Sequence, residues 1–279
     1  MISCLNPVTA NLPEPEAYVD LAARNGFAAV DHGADFWANW VARTSLAHAK
    51  VYCEEKRCRI GHGGLPVNFR QDDAAFETDL RRLPDICSVN KALGIRGMAT
   101  WIAPTCTGDV KAFRAMHVAR LKKVAAVLRD HGLKLGLEFV GPATSRKQGN
   151  PFIFDMPGML ELCTEIDGAN CGLLLDSYHW YTAHADVEDI LRLKVEQVVH
   201  VHINDAYPGP IDEQLDMKRL LPGDGVIDLK GFLSALQSIG YDGPVAVETF
   251  SEELRQMGPE EAARRAGTAM GHMMKDFGR

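Results

Sequence analysis

A helical pattern that ends on glycine and passes directly into a short apolar run recurs along this chain, and few folds accommodate it. The junctions are Arg24-Asn25-Gly26-Phe27, Ala92-Leu93-Gly94-Ile95, Asp130-His131-Gly132-Leu133, Ile166-Asp167-Gly168-Ala169 and Ser238-Ile239-Gly240-Tyr241. Their glycines lie 68, 38, 36 and 72 residues apart, one or two multiples of a unit of roughly 35 residues. Glycine adopts the left-handed helix cap at little cost, so each junction reads as a helix handing over to a parallel strand. About eight such units fill the 279 residues.

Short β-rich runs fall near Ile2 to Leu5, Ala28 to Asp31, Arg57 to Gly61, Ile95 to Thr100, Leu133 to Phe139, Cys171 to Asp176, Val198 to Ile203 and Pro244 to Thr249. Helical periodicity separates them: Glu14 to Arg24, Thr44 to Glu55, Asp72 to Leu93, Asp109 to Arg129, Met156 to Glu165, Val187 to Lys194, Asp228 to Ile239 and Glu260 to Lys275. Strands alternating with helices make a parallel sheet, and eight units favour its closure. The expected fold class is therefore α/β, a single (β/α)8 TIM barrel over residues 1–279 with no linker dividing it. Two connections are long and rich in glycine and proline, Gly141 to Pro157 and Ala206 to Gly225. In a barrel both lie on the C-terminal face, where substrates bind.

The net charge of -7 and pI near 5.8 give no global field to gather nucleic acid or an acidic membrane surface. No apolar run approaches the roughly 20 residues that cross a bilayer, and the first residues lack a basic and then apolar leader pattern. A cytoplasmic protein without nucleic-acid or membrane partners is expected; assembly into a homo-oligomer stays open. Seven scattered cysteines suit reduced thiols, and Cys53 and Cys58, with no second pair to complete a zinc knuckle, read as structural.

Four of the strands stop on residue types that bind metals: Glu138, Asp176, His202 and Glu248. Strand alternation is consistent with all of them pointing inward. With Glu138 inside, Gly136 is inside while Leu135, Leu137 and Phe139 face helices, and Ala246 joins Glu248 in the same way. His200 would then lie one layer deeper, with room for its ring beside Gly136 and Ala246. Carboxylates crowded in an apolar barrel repel one another and lose hydration, so a divalent cation is the simplest reason to gather them.

Glu138, the Asp176-x-x-His179 pair, the His202-Ile203-Asn204-Asp205 segment and Glu248 resemble the metal-site signatures of the xylose isomerase-like TIM-barrel superfamily. Leu221 to Gly225 and Gly240 to Glu248 are similar to the closing segment of its sugar isomerase and epimerase branch. The resemblance spans essentially the whole chain. It implies one divalent ion per chain, Mn²⁺ first, with Mg²⁺, Co²⁺ or Zn²⁺ also suited, held by Glu138, Asp176, His202 and Glu248. It also implies His179 beside the ion on a sugar or keto-sugar substrate.

Such a site suits a metal-dependent isomerase or epimerase. Glu138 and Glu248 would remove and return the proton next to a carbonyl through an enediolate, and His179 would stabilise the oxyanion. The alternative is a lyase or hydrolase that starts with the same proton abstraction, a keto-cyclitol dehydratase or a 3-keto-glycoside deglycosidase. A catalytically silent sugar-binding barrel would bind no metal. Trp101, Trp37, Trp40 and Trp180 are placed for the barrel mouth as sugar-stacking walls or else pack in the core, His32 and His62 sit at strand ends for substrate, a second ion or plain packing, and Arg146 for an anionic group or solvent. Two departures stand out. Ketose 3-epimerases carry an arginine six residues after the strand-seven histidine and a glutamate six after the strand-five glutamate, where this chain has Pro208 and Thr144. Endonuclease IV needs an Asp-x-His pair after that histidine, and no histidine occurs between Ile203 and Gly271. This and the acidic charge argue against a nuclease.

Overall fold

The computed structural model describes residues 1–277. Eight parallel strands close into a barrel: β1 (Ile2–Leu5), β2 (Ala29–Gly33), β3 (Arg59–Gly64), β4 (Gly97–Ile102), β5 (Lys134–Phe139), β6 (Cys171–Asp176), β7 (Val198–Ile203) and β8 (Pro244–Val247). Each pairs with its neighbours in sequence, and β1 closes the ring against β8 from Ile2↔Pro244 to Leu5↔Val247. Helices cover the outside, so the apolar side chains Leu135, Leu137, Phe139, Val201, Val245 and Val247 are buried against them.

Strand boundaries shifted where helix ends claimed the residues first. Arg57 caps the helix Leu46–Lys56 in the left-handed conformation, φ 51°, and its amide bonds back to that helix, so β3 starts at Arg59 and runs on to Gly64. The Ile95 amide likewise bonds to the Asn90 carbonyl, and β4 starts at Gly97.

Of the two readings open for Trp37 and Trp40, packing holds. They lie on a helix, Ala34–Arg43, that fills the expected loop after β2, and both are buried in the core. Trp180 is buried as well, against Phe232, with its indole N–H donating to the Asp186 carbonyl. These three rings are packing, not sugar walls. Aromatic spacing at i and i+3 fits a helix face as readily as a binding loop, and burial of so much apolar area decides between them.

Inside the barrel, the layer beneath the strand ends also departs from simple alternation. Pairing steps from Leu173↔Val198 to Leu174↔His200, leaving Val199 as a bulge. A Cβ on Gly97, Gly136 or Gly172 would approach the Val199 side chain to 2.8–3.3 Å. The room beside Gly136 is thus taken by Val199, and His200 instead stacks on His62.

Candidate metal centre and active site

Glu138 is the penultimate residue of β5, Asp176 the last of β6, His202 the penultimate of β7, and Glu248 follows β8 directly. Asp176 and His202 are in direct register across β6 and β7. One ligand atom from each of the four lies within 4.8 Å of all the others, and all four residues are buried. His202 Nδ1 faces Glu248 Oε2 at 3.3 Å and Glu138 Oε1 at 3.6 Å. Both His202 Nδ1 and Glu138 Oε1 are buried without a hydrogen-bond partner. Buried polar atoms without partners are costly and rare, and a cation between these two would satisfy both once His202 has lost its proton.

The loop after β6 explains the Asp176-x-x-His179 spacing. Asp176 caps the short helix Ser177–Thr182, with Oδ1 accepting from the amides of Tyr178 and His179 at 2.7 and 3.1 Å. Its other oxygen accepts from Asn204 Nδ2 at 2.9 Å and from Arg219 Nη1 at 3.0 Å. Asn204 in the His202-Ile-Asn-Asp205 segment therefore orients a ligand-type carboxylate. Asp205 faces away from the ion pocket and acts on the backbone, where its carboxylate accepts from the amides of Gly223, Gly225 and Ile227 and pins the Pro-Gly-Asp-Gly turn.

Arg219 was missed in the sequence. The loop from Ala206 to Gly225 carries it back into the barrel mouth, where it is 1% exposed. Its guanidinium touches Asp176, Glu248, His179 and Asp216. The position six residues past His202 is Pro208, yet the same loop delivers an arginine from further along. Thr144, at the other departure, donates to the Gln214 carbonyl and ties the two long loops together.

Burial and these neighbours set the charges without a bound ion. Burial alone would raise the Asp176 carboxyl, but Arg219, then His179 and His202, hold it at about 2. Glu248 is also lowered, because His202 and Arg219 outweigh its burial. Glu138 goes the other way: burial raises it, Glu248 adds to the rise, and His202 and His179 offset it only in part. For His202, burial favours the neutral ring, yet Glu248 and Glu138 override that and push its pKa well above the ordinary value.

A cavity of about 230 Å³ opens over this cluster and is bordered by Glu138, His202, Glu248, Trp101, His32 and His62. Trp101 pairs in register with Glu138, is 48% exposed and carries the Arg70 guanidinium 4.1 Å over its ring. His32 stacks on Phe36 at 3.6 Å, and His62 lies at the floor, stacked on His200 at 4.3 Å. His200 Nε2 is 2.6 Å from Asp31, and Asp31, His200 and His202 form a second, deeper group of metal-type side chains. His179, expected on the substrate, is buried and does not border this cavity; its Nδ1 accepts from the Gly141 amide at 3.3 Å and its Nε2 is 3.3 Å from Arg219. Arg146 does not border the cavity, because its guanidinium lies 3.9 Å over the Phe154 ring. A larger groove of about 870 Å³ runs outside, past Arg219, Met217 and Phe250, but the ligand-type cluster is in the smaller one. Cys53 and Cys58 are free thiols pushed up to about 12 by burial, consistent with a structural role.

A closed parallel barrel gathering two glutamates, an aspartate and a histidine at its C-terminal mouth defines a TIM barrel with a candidate single-ion metal centre. The chain belongs to the xylose isomerase-like TIM barrel family, whose model matches residues 19–274. It is 30% identical over 190 residues to inosose isomerase of Bacillus subtilis (strain 168), covering 68% of this chain and 65% of that protein. It is 36% identical over 97 residues to 3-dehydroshikimate dehydratase of Pseudomonas aeruginosa, covering 34% of this chain and 15% of that protein. The chain thus spans less than two thirds of the first of these relatives and a small part of the second. Among solved structures, a xylose isomerase domain protein from Alicyclobacillus acidocaldarius subsp. acidocaldarius superposes with a TM-score of 0.91 at 32% identity, covering 99% of this chain and 98% of that one. Among the described residues no helix is long and apolar enough to cross a membrane.

Proposed function

We propose that this protein is a divalent-metal-dependent isomerase or epimerase of keto-sugars, inosose-type keto-cyclitols included, that works by moving the proton next to the carbonyl. The observation that carries this is the pair Glu138 and Glu248 flanking His202 at 3.6 and 3.3 Å within one buried group of metal-type side chains. Two carboxyls beside one substrate pocket are what an acid and a base require. Kinship with inosose isomerase supports the substrate class.

Glu138, Asp176, His202 and Glu248 would hold the ion, Mn²⁺ first, and the unpartnered atoms of Glu138 and His202 fit that role. Bound there, a divalent cation supplies charge that polarises the substrate carbonyl and offsets the negative charge that proton loss creates. Glu248, kept ionised by His202 and Arg219, takes the proton. Glu138, across His202 from Glu248, returns one. His179 accepts from the Gly141 amide on Nδ1, so in the neutral ring the proton is on Nε2. Nε2 is 3.3 Å from Arg219 Nη2, which is also a donor. The acceptor beside both donors is Asp216 Oδ1, 2.8 Å from Arg219 Nη2 and 3.8 Å from His179 Nε2, which holds this pair in place beside the candidate ligands. Trp101 forms a wall and His62 the floor of the same cavity.

The second reading is a lyase that begins with the same proton abstraction and then loses a leaving group. Kinship with 3-dehydroshikimate dehydratase favours it as the alternative. Incubating the Mn²⁺-loaded protein with inosose and other keto-sugars in D₂O, followed by NMR, separates the two. Deuterium next to the carbonyl in a substrate or isomer of unchanged composition supports the isomerase, and loss of water or an aglycone supports the lyase. No exchange with any keto-sugar would sink both.

A further inference from the structure

The Arg219 guanidinium is ringed by side chains of the types that bind divalent metals. Nη1 is 3.0 Å from Asp176 Oδ2 and 3.4 Å from Glu248 Oε2, and Nη2 is 2.8 Å from Asp216 Oδ1 and 3.3 Å from His179 Nε2. Asp176 and Glu248 are also half of the four-residue group that would hold the ion. Two carboxylates are thus shared between a candidate ion pocket and an adjoining pocket already filled by a cation. The guanidinium carbon lies 4.9 Å from the Tyr178 ring and 4.7 Å from the Phe250 ring, so aromatic faces help to hold it in place.

We propose that the Arg219 guanidinium is a tethered stand-in for a second divalent cation, filling a pocket made by the carboxylates of Asp176, Asp216 and Glu248. The inference rests on the reading that the first group binds a metal. Its consequence is a difference in chemistry. Paired metal ions about 3.5–4 Å apart activate water and hold both oxygens of an in-line displacement, the hydrolytic chemistry of phosphatases and nucleases. A guanidinium supplies positive charge and directed N–H donors but no coordination position for water. Arg219 therefore keeps the shared carboxylates in place around a single Lewis acid, and so withholds the second ion that in-line displacement by water uses.

The test is zinc content per chain after equilibrium dialysis against Zn²⁺, by plasma emission and native mass spectrometry. Wild type and Arg219→Lys should hold one ion, because each fills the second pocket with its own charge. Arg219→Ala should hold two, and Arg219→Ala combined with Asp216→Asn should fall back to one. A folded Arg219→Ala protein that holds one ion alongside a wild type that holds one would overturn the inference while leaving the metal reading intact, as would a wild type that holds two. A wild type that holds none would remove the metal reading, and the inference with it. Should Arg219→Ala fold only with zinc present, its melting temperature should keep rising past one equivalent of Zn²⁺. Saturation at one equivalent would count against the second pocket.

Discussion

Asp31 and His200 form a buried pair beneath the candidate metal centre, with Oδ2 and Nε2 2.6 Å apart and the other carboxylate oxygen 3.1 Å from the Cys4 thiol. Burial works against the Asp31 charge, but the His200 ring overrides it and lowers the carboxyl below its usual range. Asp31→Asn should leave the buried His200 ring without its carboxylate acceptor and destabilise the protein by about 2 kcal/mol. In wild type this contribution is present above the unfolded carboxyl value near ~3.9 and lost as pH falls through the lower folded value. Urea midpoints from pH 7 down to pH 3 would show the mutant and wild type converging as the medium becomes acid.

His202, with its pKa well above the ordinary value in the metal-free protein, carries a proton at neutral pH that a metal ion must displace. Metal binding should therefore release a proton, and affinity should rise with pH below that raised pKa. Calorimetric titration with Mn²⁺ in buffers of different ionisation enthalpy gives the proton count. A count of zero at pH 7 would show that His202 is not a ligand or is already neutral.

Glu248→Gln and Glu138→Gln should each lower solvent-deuterium exchange into a keto-sugar by about 10²–10⁴-fold, the scale of a lost general acid or base. Glu248→Gln should weaken metal binding in parallel, since the carboxylate serves both purposes. Unchanged exchange with either variant would remove that residue from the proton transfer.

The tryptophans divide by burial. Trp37, fully buried, should cost about 3–5 kcal/mol as Trp37→Ala. Trp101, at 48% exposure on the cavity rim, should change stability by less than about 0.5 kcal/mol while raising KM for the sugar. Thermal melts and steady-state kinetics on both variants would test the contrast.

The barrel and its four ligand-type residues were legible because their signals are local. Left-handed glycines mark four of the five helix-to-strand junctions, at Gly26, Gly94, Gly132 and Gly240, while Gly168 stays in the right-handed helical region at φ -60°, and period-two alternation aims Glu138, His202 and Glu248 inward without knowledge of any long-range contact. The helix Ala34–Arg43 was less legible, since Trp37 and Trp40 carry the same spacing whether they pack or line a mouth. Arg219 was hidden for another reason. It reaches the site only because Asp205 pins the Gly223 and Gly225 amides and pairs with Leu220, a long-range arrangement with no periodic trace. The one available signal was its place just before Leu221-Pro-Gly-Asp-Gly225. Val199 likewise escaped notice, because a bulge breaks the alternation on which the His200 layer was placed.

Anomalous diffraction from crystals of the protein loaded with Mn²⁺ tests the convergence of these residues most directly. The expected result is one strong peak per chain within bonding distance of Glu138, Asp176, His202 and Glu248, with Arg219 beside it. A peak elsewhere, or none at saturating Mn²⁺, would contradict the metal-centred chemistry proposed for this barrel.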